Sequence, residues 1–319
     1  MTAVNRSLWQ DEAGIAGIIR ESAAPTTVAD NEILVKVKAW AMNPADTMVQ
    51  DVALPFIKYP LILGEDVAGT VEKVGSQATG KFVVGDRVLG LALGAAVFKP
   101  EQGAFQEYVI LDYTLACKIP DSLSFNDAAV FPLLPFPTIN PTSTGNSGVG
   151  SNAIQLCKAA GFEVITTCSA HNFEYVKRLG ADKVSDYKDP AVVDQIVAEL
   201  DQGECIGVSQ AAGDVVPSCQ VASKSKQKLR VAASNPIPEG GAPADIEAKM
   251  IFATGGAVIY HETSPASFAD YLPEALAKGL YQVAPTPEIV PTKGLEGIQE
   301  AMNLLKKGIS AKKLVTLAN

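Results

Sequence analysis

The stretch TGNSGVGSNAIQ, Thr144 to Gln155, sets Gly145, Gly148 and Gly150 directly ahead of an apolar stripe with helical spacing. Glycines there let the backbone approach a phosphate. The amides of Ser147, Gly148, Val149 and Gly150 would then share the partial positive charge of a helix starting near Ser151. That chemistry is pyrophosphate binding, although glycine-rich turns precede many helices and the spacing alone is weak. One strand later, VITTCSAHN ends in Ser169, Ala170, His171 and Asn172, where a dinucleotide fold meets the adenosine ribose. A carboxylate at that tip would accept the ribose hydroxyls and favour NAD. None is present, and Lys177 and Arg178 follow, so a 2′-phosphate is not repelled and NADPH is expected. Ser169 or Asn172 serving only as a helix cap is the competing reading.

The elements that must hold these residues follow from patterning. Residues 31 to 125 are β-rich: EILVKVKAWAM and VAGTVEKVG alternate apolar and polar positions, and VVGDRVLGLAL sets a Gly-Asp turn between apolar runs, as in a folded antiparallel sheet. From Asn126 the texture changes. NAIQLCKAAG and NFEYVKRLGA read as helices closed by glycine, FEVITTCS as a buried strand, and DPAVVDQIVAELDQG as a helix capped by Asp189 with Pro190 at its first position. Such alternation implies a parallel sheet covered on both faces. GLEGIQEAMNLLKKG is an amphipathic helix and KKLVTLAN a final strand.

Bulk properties narrow the function. The 319 residues are 47% apolar and 19% charged, the composition of a folded two-domain enzyme. A net charge of −9 with dispersed Lys and Arg argues against nucleic acid. Five cysteines without paired short spacing suggest neither disulfides nor a zinc knuckle, and no leader or membrane span is read, so a cytoplasmic location is expected.

Several ordered motifs carry a family resemblance: AMNPADT (41 to 47), YPLILGEDVAGTVEKVG (59 to 75), VGDRVLG (84 to 90), QGAFQEYVIL (102 to 111), DSLSFNDAAVFPL (121 to 133), TCSAHNFEYVKRLGADKVSDYKDP and the LLKKGISAKKLV ending. Together they resemble the medium-chain dehydrogenase/reductase superfamily over nearly the whole chain. The likeness is greatest to its zinc-free, quinone-oxidoreductase-like branch, which includes the fungal trans-acting enoyl reductases. The resemblance implies an α/β protein. Residues 1–125 would form a GroES-like β domain, 126–275 a Rossmann domain with a doubly wound parallel sheet, and 276–319 a segment returning to the first.

It also assigns roles. Asn43, Pro44, Ala45 and Asp46 would lie beside the nicotinamide and its ribose, Ser147 to Gly150 at the phosphates, Ser169 to Asn172 at the ribose phosphate and Tyr187 over the adenine or its phosphate; Ile309 and Ser310 complete the cofactor-binding set. NPAD as a plain Asx-Pro turn, and Tyr187 as a core residue, are the competing readings. Where zinc-dependent relatives carry a cysteine and a histidine this chain has Asn43 and Glu65, and the region around AAVFKPEQGAF lacks the four thiolates of a structural zinc site, so no metal is expected. His171 and His261 show no ligand pattern either. Hydride transfer from NADPH to an activated C=C bond is the expected reaction, with quinone reduction or non-catalytic NADPH binding as alternatives. Asn43 and Tyr59 are the catalytic candidates, Tyr59 as a proton donor or else a structural turn residue, and Met48 stands where enoyl reductases often have lysine. The expected substrate is a small molecule or an acyl thioester, free or carrier-bound, and the expected state a monomer or homodimer.

One stretch breaks the pattern. AAVFPL runs almost at once into LPFPTINPTSTG and then NSGVGS, so a helix after Leu133 and the first Rossmann strand before Asn146 are missing; Pro132, Pro135, Pro137 and Pro141 cannot share a central strand. Either the full-length product carries about twenty helical and eight or nine strand residues more, or it is truly shortened. The first is expected, because losing a central strand would cost more than a net stability of about 5 to 15 kcal/mol.

Overall fold

The computed structural model describes residues 3–132, 147–251 and 265–319. The chain forms two compact units, Met1–Leu133 with Ala257–Asn319, and Leu134–Gly256.

The first unit opens with β1 (Val4–Gln10), β2 (Ile18–Ala23), β3 (Glu32–Ala41), α1 (Pro44–Asp51), β4 (Leu61–Ile62), β5 (Asp66–Val74), β6 (Arg87–Leu91), α2 (Gly94–Val97), β7 (Tyr108–Asp112), β8 (Ala116–Lys118) and α3 (Phe125–Ala128). The second holds α4 (Gly148–Ala159), β9 (Ile165–Cys168), α5 (Phe173–Arg178), β10 (Lys183–Asp186), α6 (Val192–Leu200), β11 (Val208–Gln210), α7 (Val216–Lys224), β12 (Val231–Ala233) and β13 (Ala248–Met250). The chain returns to the first unit through α8 (Leu272–Ala277), β14 (Thr286–Ile289), α9 (Glu296–Leu305) and β15 (Lys312–Leu317). Residues 265–275, which the sequence reading allotted to the Rossmann domain, thus belong to the first unit.

The main sheet of the first unit runs β14-β15-β3-β5-β6-β8, with β7 also on β3. The pairing β14–β15 is parallel and the others are antiparallel, as the turn-rich sequence led us to expect. Alternation underestimates β3. Only Lys36 is exposed and Lys38 half-buried, because β5, β7 and β15 all pair with this strand. Its polar groups are satisfied accordingly: the Trp40 indole donates to the Ala104 carbonyl at 2.9 Å, and the Glu32 carboxylate accepts from Gln102 at 2.8 Å and from the Ala29 amide at 2.9 Å. The last strand, β15, lies inside this sheet between β14 and β3.

The second unit alternates strand and helix, and every strand pair in it is parallel. Its core gathers Ile165, Val192, Ile196, Leu200, Val208, Cys219 and Val231. Two helix starts differ from the sequence reading. Helix α4 begins at Gly148, three residues early, because the Ser147 hydroxyl accepts from the Gly150 amide at 3.0 Å and caps it. Helix α6 begins at Val192, because Asp189 closes a preceding turn, accepting from the Ala191 amide at 2.8 Å, and Pro190 lies in that turn. Among the described residues the strands form two sheets, β10-β9 and β11-β12-β13. The helix and strand expected as missing, and any break near Leu133–Pro135 or Gly145–Ser147, lie outside the described residues.

Gly69 shows how closely β3 and β5 pack. It sits opposite Val37 beside a register shift, and a Cβ there would stand 2.2 Å from the Lys36 carbonyl oxygen. Gly69→Ala is expected to lower the urea-unfolding free energy by about 1 to 3 kcal/mol, while Gly80→Ala, which meets nothing within 4 Å, stays close to wild type.

Candidate active site

Three neighbouring strands bring one polar cluster together in the first unit. Strand β3 ends at Ala41, which pairs with Asp66 of β5 on one side and Val315 of β15 on the other. The Met42 amide donates to the Leu314 carbonyl at 3.0 Å, so Asn43 emerges beside Lys313 and Asp66. The Asn43 Nδ2 donates to Asp66 Oδ2 at 3.0 Å. Lys313 Nζ forms an ion pair with the same oxygen and lies 3.3 Å from the Val130 carbonyl. All three are buried; the side chains of Lys313 and Asp66 are 5% and 0% exposed.

Asn43 also starts α1. Its main-chain amide donates to Asp46 Oδ2 at 2.7 Å in a capping box, and Pro44 occupies the first helical position, where no amide donor is needed. Burial pushes the Asp46 carboxyl up to about 7, and the Asp66 charge adds to that rise. The amides of Asn43 and Gly64 and the charge of Lys313 oppose it. Gly64 has φ +91°, and a Cβ there would meet the Phe105 ring at 2.3 Å; only glycine lets the loop before β5 come this close. Glu65, next to it, is buried too.

Asn43 is therefore a committed group, 3% exposed and already hydrogen-bonded. Tyr59 is committed as well. Its hydroxyl donates to the Val49 carbonyl at 2.5 Å, with the Val52 carbonyl at 3.5 Å, so it ties off the end of α1. Burial also raises its pKa. Sequence reasoning missed Lys313 and Asp66. Their signals were an acid beside Glu65 in LGED, and a lysine in period two with buried Val315 in the final strand.

In the second unit, the capped start of α4 presents the Gly148 and Val149 amides, with Gly150 donating to Ser147. Ser151 and Tyr175 join α4 to α5 through a 2.7 Å hydroxyl–hydroxyl hydrogen bond. The parallel pair β9–β10 carries Ser169 and Tyr187 just past its carboxyl ends, their hydroxyls 3.4 Å apart. Neither Ser169 nor Asn172 caps a helix amide with its side chain. Asn172 is buried and His171 exposed, while the Tyr187 ring is 46% exposed, unlike a core tyrosine. Asp186, one strand over from Cys168, accepts from the Lys188 amide at 2.9 Å. Hydroxyls, an exposed ring and first-turn amides at strand ends suit a dinucleotide. Ile309 and Ser310 are exposed in the turn between α9 and β15.

No three His, Cys, Asp or Glu side chains among the described residues gather into a group able to hold a metal. Burial pushes the Cys157, Cys168 and Cys205 thiols up to about 11 and raises Cys117 and Cys219 too, so these are thiols rather than nucleophilic thiolates. His261 lies outside the described residues. No helix among the described residues is long and apolar enough to cross a membrane.

Residues 29–121 match the alcohol dehydrogenase GroES-like domain and residues 148–220 the zinc-binding dehydrogenase family. The dehydrogenase AzaJ of Aspergillus niger is 40% identical, covering 93% of this chain and 94% of that protein. Its alignment spans 334 positions, more than the 319 residues here, so AzaJ has internal residues that this chain lacks. The trans-enoyl reductase HimH of Aspergillus japonicus is 34% identical over 98% of this chain and 97% of its own. Among solved structures, the CurK enoyl reductase shares the fold with a TM-score of 0.76 at 20% identity, covering 99% of both chains.

The Asp46 carboxyl yields a test of sign. Its native pKa lies above the unfolded value, so the native state favours the protonated form; this contribution is full below about pH 4 and is lost as pH rises towards 7. Asp46→Asn keeps an acceptor for the Asn43 amide without titrating. Relative to wild type it is expected to gain stability between pH 4 and 7, by at most about 4 kcal/mol, in urea unfolding followed at several pH values.

Proposed function

The chain belongs to the medium-chain dehydrogenase/reductase family of GroES-like oxidoreductases, and from that premise we propose that it reduces the activated C=C bond of an α,β-unsaturated carbonyl with NADPH and without zinc. One observation carries the reading. A lysine ammonium, Lys313, balances the buried Asp66 charge beside Asn43, at residues where the family resemblance would put metal ligands in zinc-dependent relatives. The relatives named trans-enoyl reductase support an enoyl thioester as substrate.

Bound NADPH supplies the hydride that forms the new C–H bond at the β carbon, leaving NADP⁺. The residues assigned to it divide by chemistry. The Gly148 and Val149 amides would take the pyrophosphate, Ser169, His171 and Asn172 the 2′-phosphate, and Tyr187 the adenine. Asn43 to Asp46, with Ile309 and Ser310, would take the nicotinamide end. With Tyr59 tied to Val49 and Met48 unable to donate, water is the proposed source of the α-carbon proton.

NADPH oxidation at 340 nm with the crotonyl thioester of N-acetylcysteamine tests the reading directly. Turnover with substoichiometric zinc is expected, and one zinc per chain required for turnover would overturn the metal-free part. Cofactor choice has its own test. Ser169→Asp sets a negative charge against the 2′-phosphate and removes a charge-assisted hydrogen bond of about 1.5 to 3 kcal/mol, so the NADPH Michaelis constant should rise by roughly 10- to 100-fold. That for NADH should barely move, and equal losses would refute the assignment.

A further inference from the structure

We propose that Lys313, acting through Asp66, is a positioning residue that fixes the carboxamide of Asn43 in one of its two orientations. This rests on the reading that Asn43 serves the nicotinamide end of the cofactor. A carboxamide is nearly symmetric in shape, so its two orientations differ little in packing but exchange donor for acceptor. At Asn43 two groups bear on the choice: Asp66 Oδ2 accepts from Nδ2 at 3.0 Å, and the capping box turns the carboxamide oxygen towards the Asp46 amide without a close hydrogen bond. An ionised carboxylate can only accept, so the nitrogen must face Asp66 and the oxygen must face away from it, towards the first turn of α1.

Asp66 decides only while ionised. It is 0% exposed, and burial disfavours a lone carboxylate. The Lys313 ammonium, itself buried, shares the same Oδ2 and holds the charge in place. A second contact, 3.3 Å to the Val130 carbonyl, aims the ammonium. The order of dependence is lysine, carboxylate, amide, and the two members farthest from α1 touch nothing in the proposed reaction. Asp46 is another acid at this cluster, and it receives the main-chain amide of Asn43 rather than its side chain.

The experiment compares wild type with Lys313→Met, Lys313→Arg and the double variant Asp66→Asn/Lys313→Met. The single Met variant strands a buried charge and is expected to lose stability. The double variant removes both charges and should recover the fold, yet the carboxamide that replaces the Asp66 carboxylate can donate or accept and leaves only the looser capping-box contact to select an orientation of Asn43. For the double variant, kcat with NADPH and the crotonyl thioester is expected to fall at least about 10-fold, with the NADPH dissociation constant within about 3-fold of wild type. Lys313→Arg should restore most of kcat. A second readout does not depend on turnover: the Asn43 side-chain amide in a 15N-labelled sample should lose its downfield, slowly exchanging proton in the double variant. A double variant with wild-type kcat, or one whose kcat, cofactor affinity and melting temperature fall together, overturns the proposal. If wild type fails to turn over the thioester, the functional reading fails; an unchanged Asn43 amide signal then overturns the positioning role, and a shifted one upholds it.

Discussion

The ion pair between Asp66 and Lys313 is the constraint around which the first unit is arranged. Two charges fully out of water are costly to bury, and stranding either by itself costs about 3 to 5 kcal/mol. They can coexist here only if β5, β3 and β15 are side by side in register. The same oxygen that takes the ammonium takes the Asn43 amide. Strand order, ion balance and the start of α1 are therefore one condition rather than three.

The second unit is built on a different economy. Its chemistry-bearing groups are main-chain amides at Gly148 and Val149 and small hydroxyls at the carboxyl ends of β9 and β10, held by parallel pairing rather than by buried charge. Such a site tolerates sequence drift as long as the strand ends stay aligned. Among the described residues, Ile165 of β9 and Val208 of β11 share one core.

Much of this was legible from residue order. Turn glycines and period-two runs located the antiparallel strands, and glycine-closed apolar stripes located α4 and α5, because those signals are local. Helix starts were misplaced where a side chain intervenes: Ser147 draws α4 forward and Asp189 delays α6, and a cap is decided by which hydroxyl or carboxylate reaches an amide. Within the site, Asn43 was found by motif, but its partners Asp66 and Lys313 were not, since they meet it only through strand pairing. The reach of Tyr59 was hidden for the same reason. Nothing in YP says that its hydroxyl reaches the end of α1.

The separation of Asp66 and Lys313 along the chain, 247 residues, has a consequence in time. At synthesis rates of about 5 to 20 residues per second, Lys313 follows Asp66 by on the order of 10 to 50 s. For that interval the nascent first half holds its strands without the counter-ion their burial demands, while all of the second unit is made and can fold. The ribosome must add Lys313 before this sheet can close. A nascent chain of this design therefore presents an open sheet edge at β3, where β15 will dock, until β15 is made.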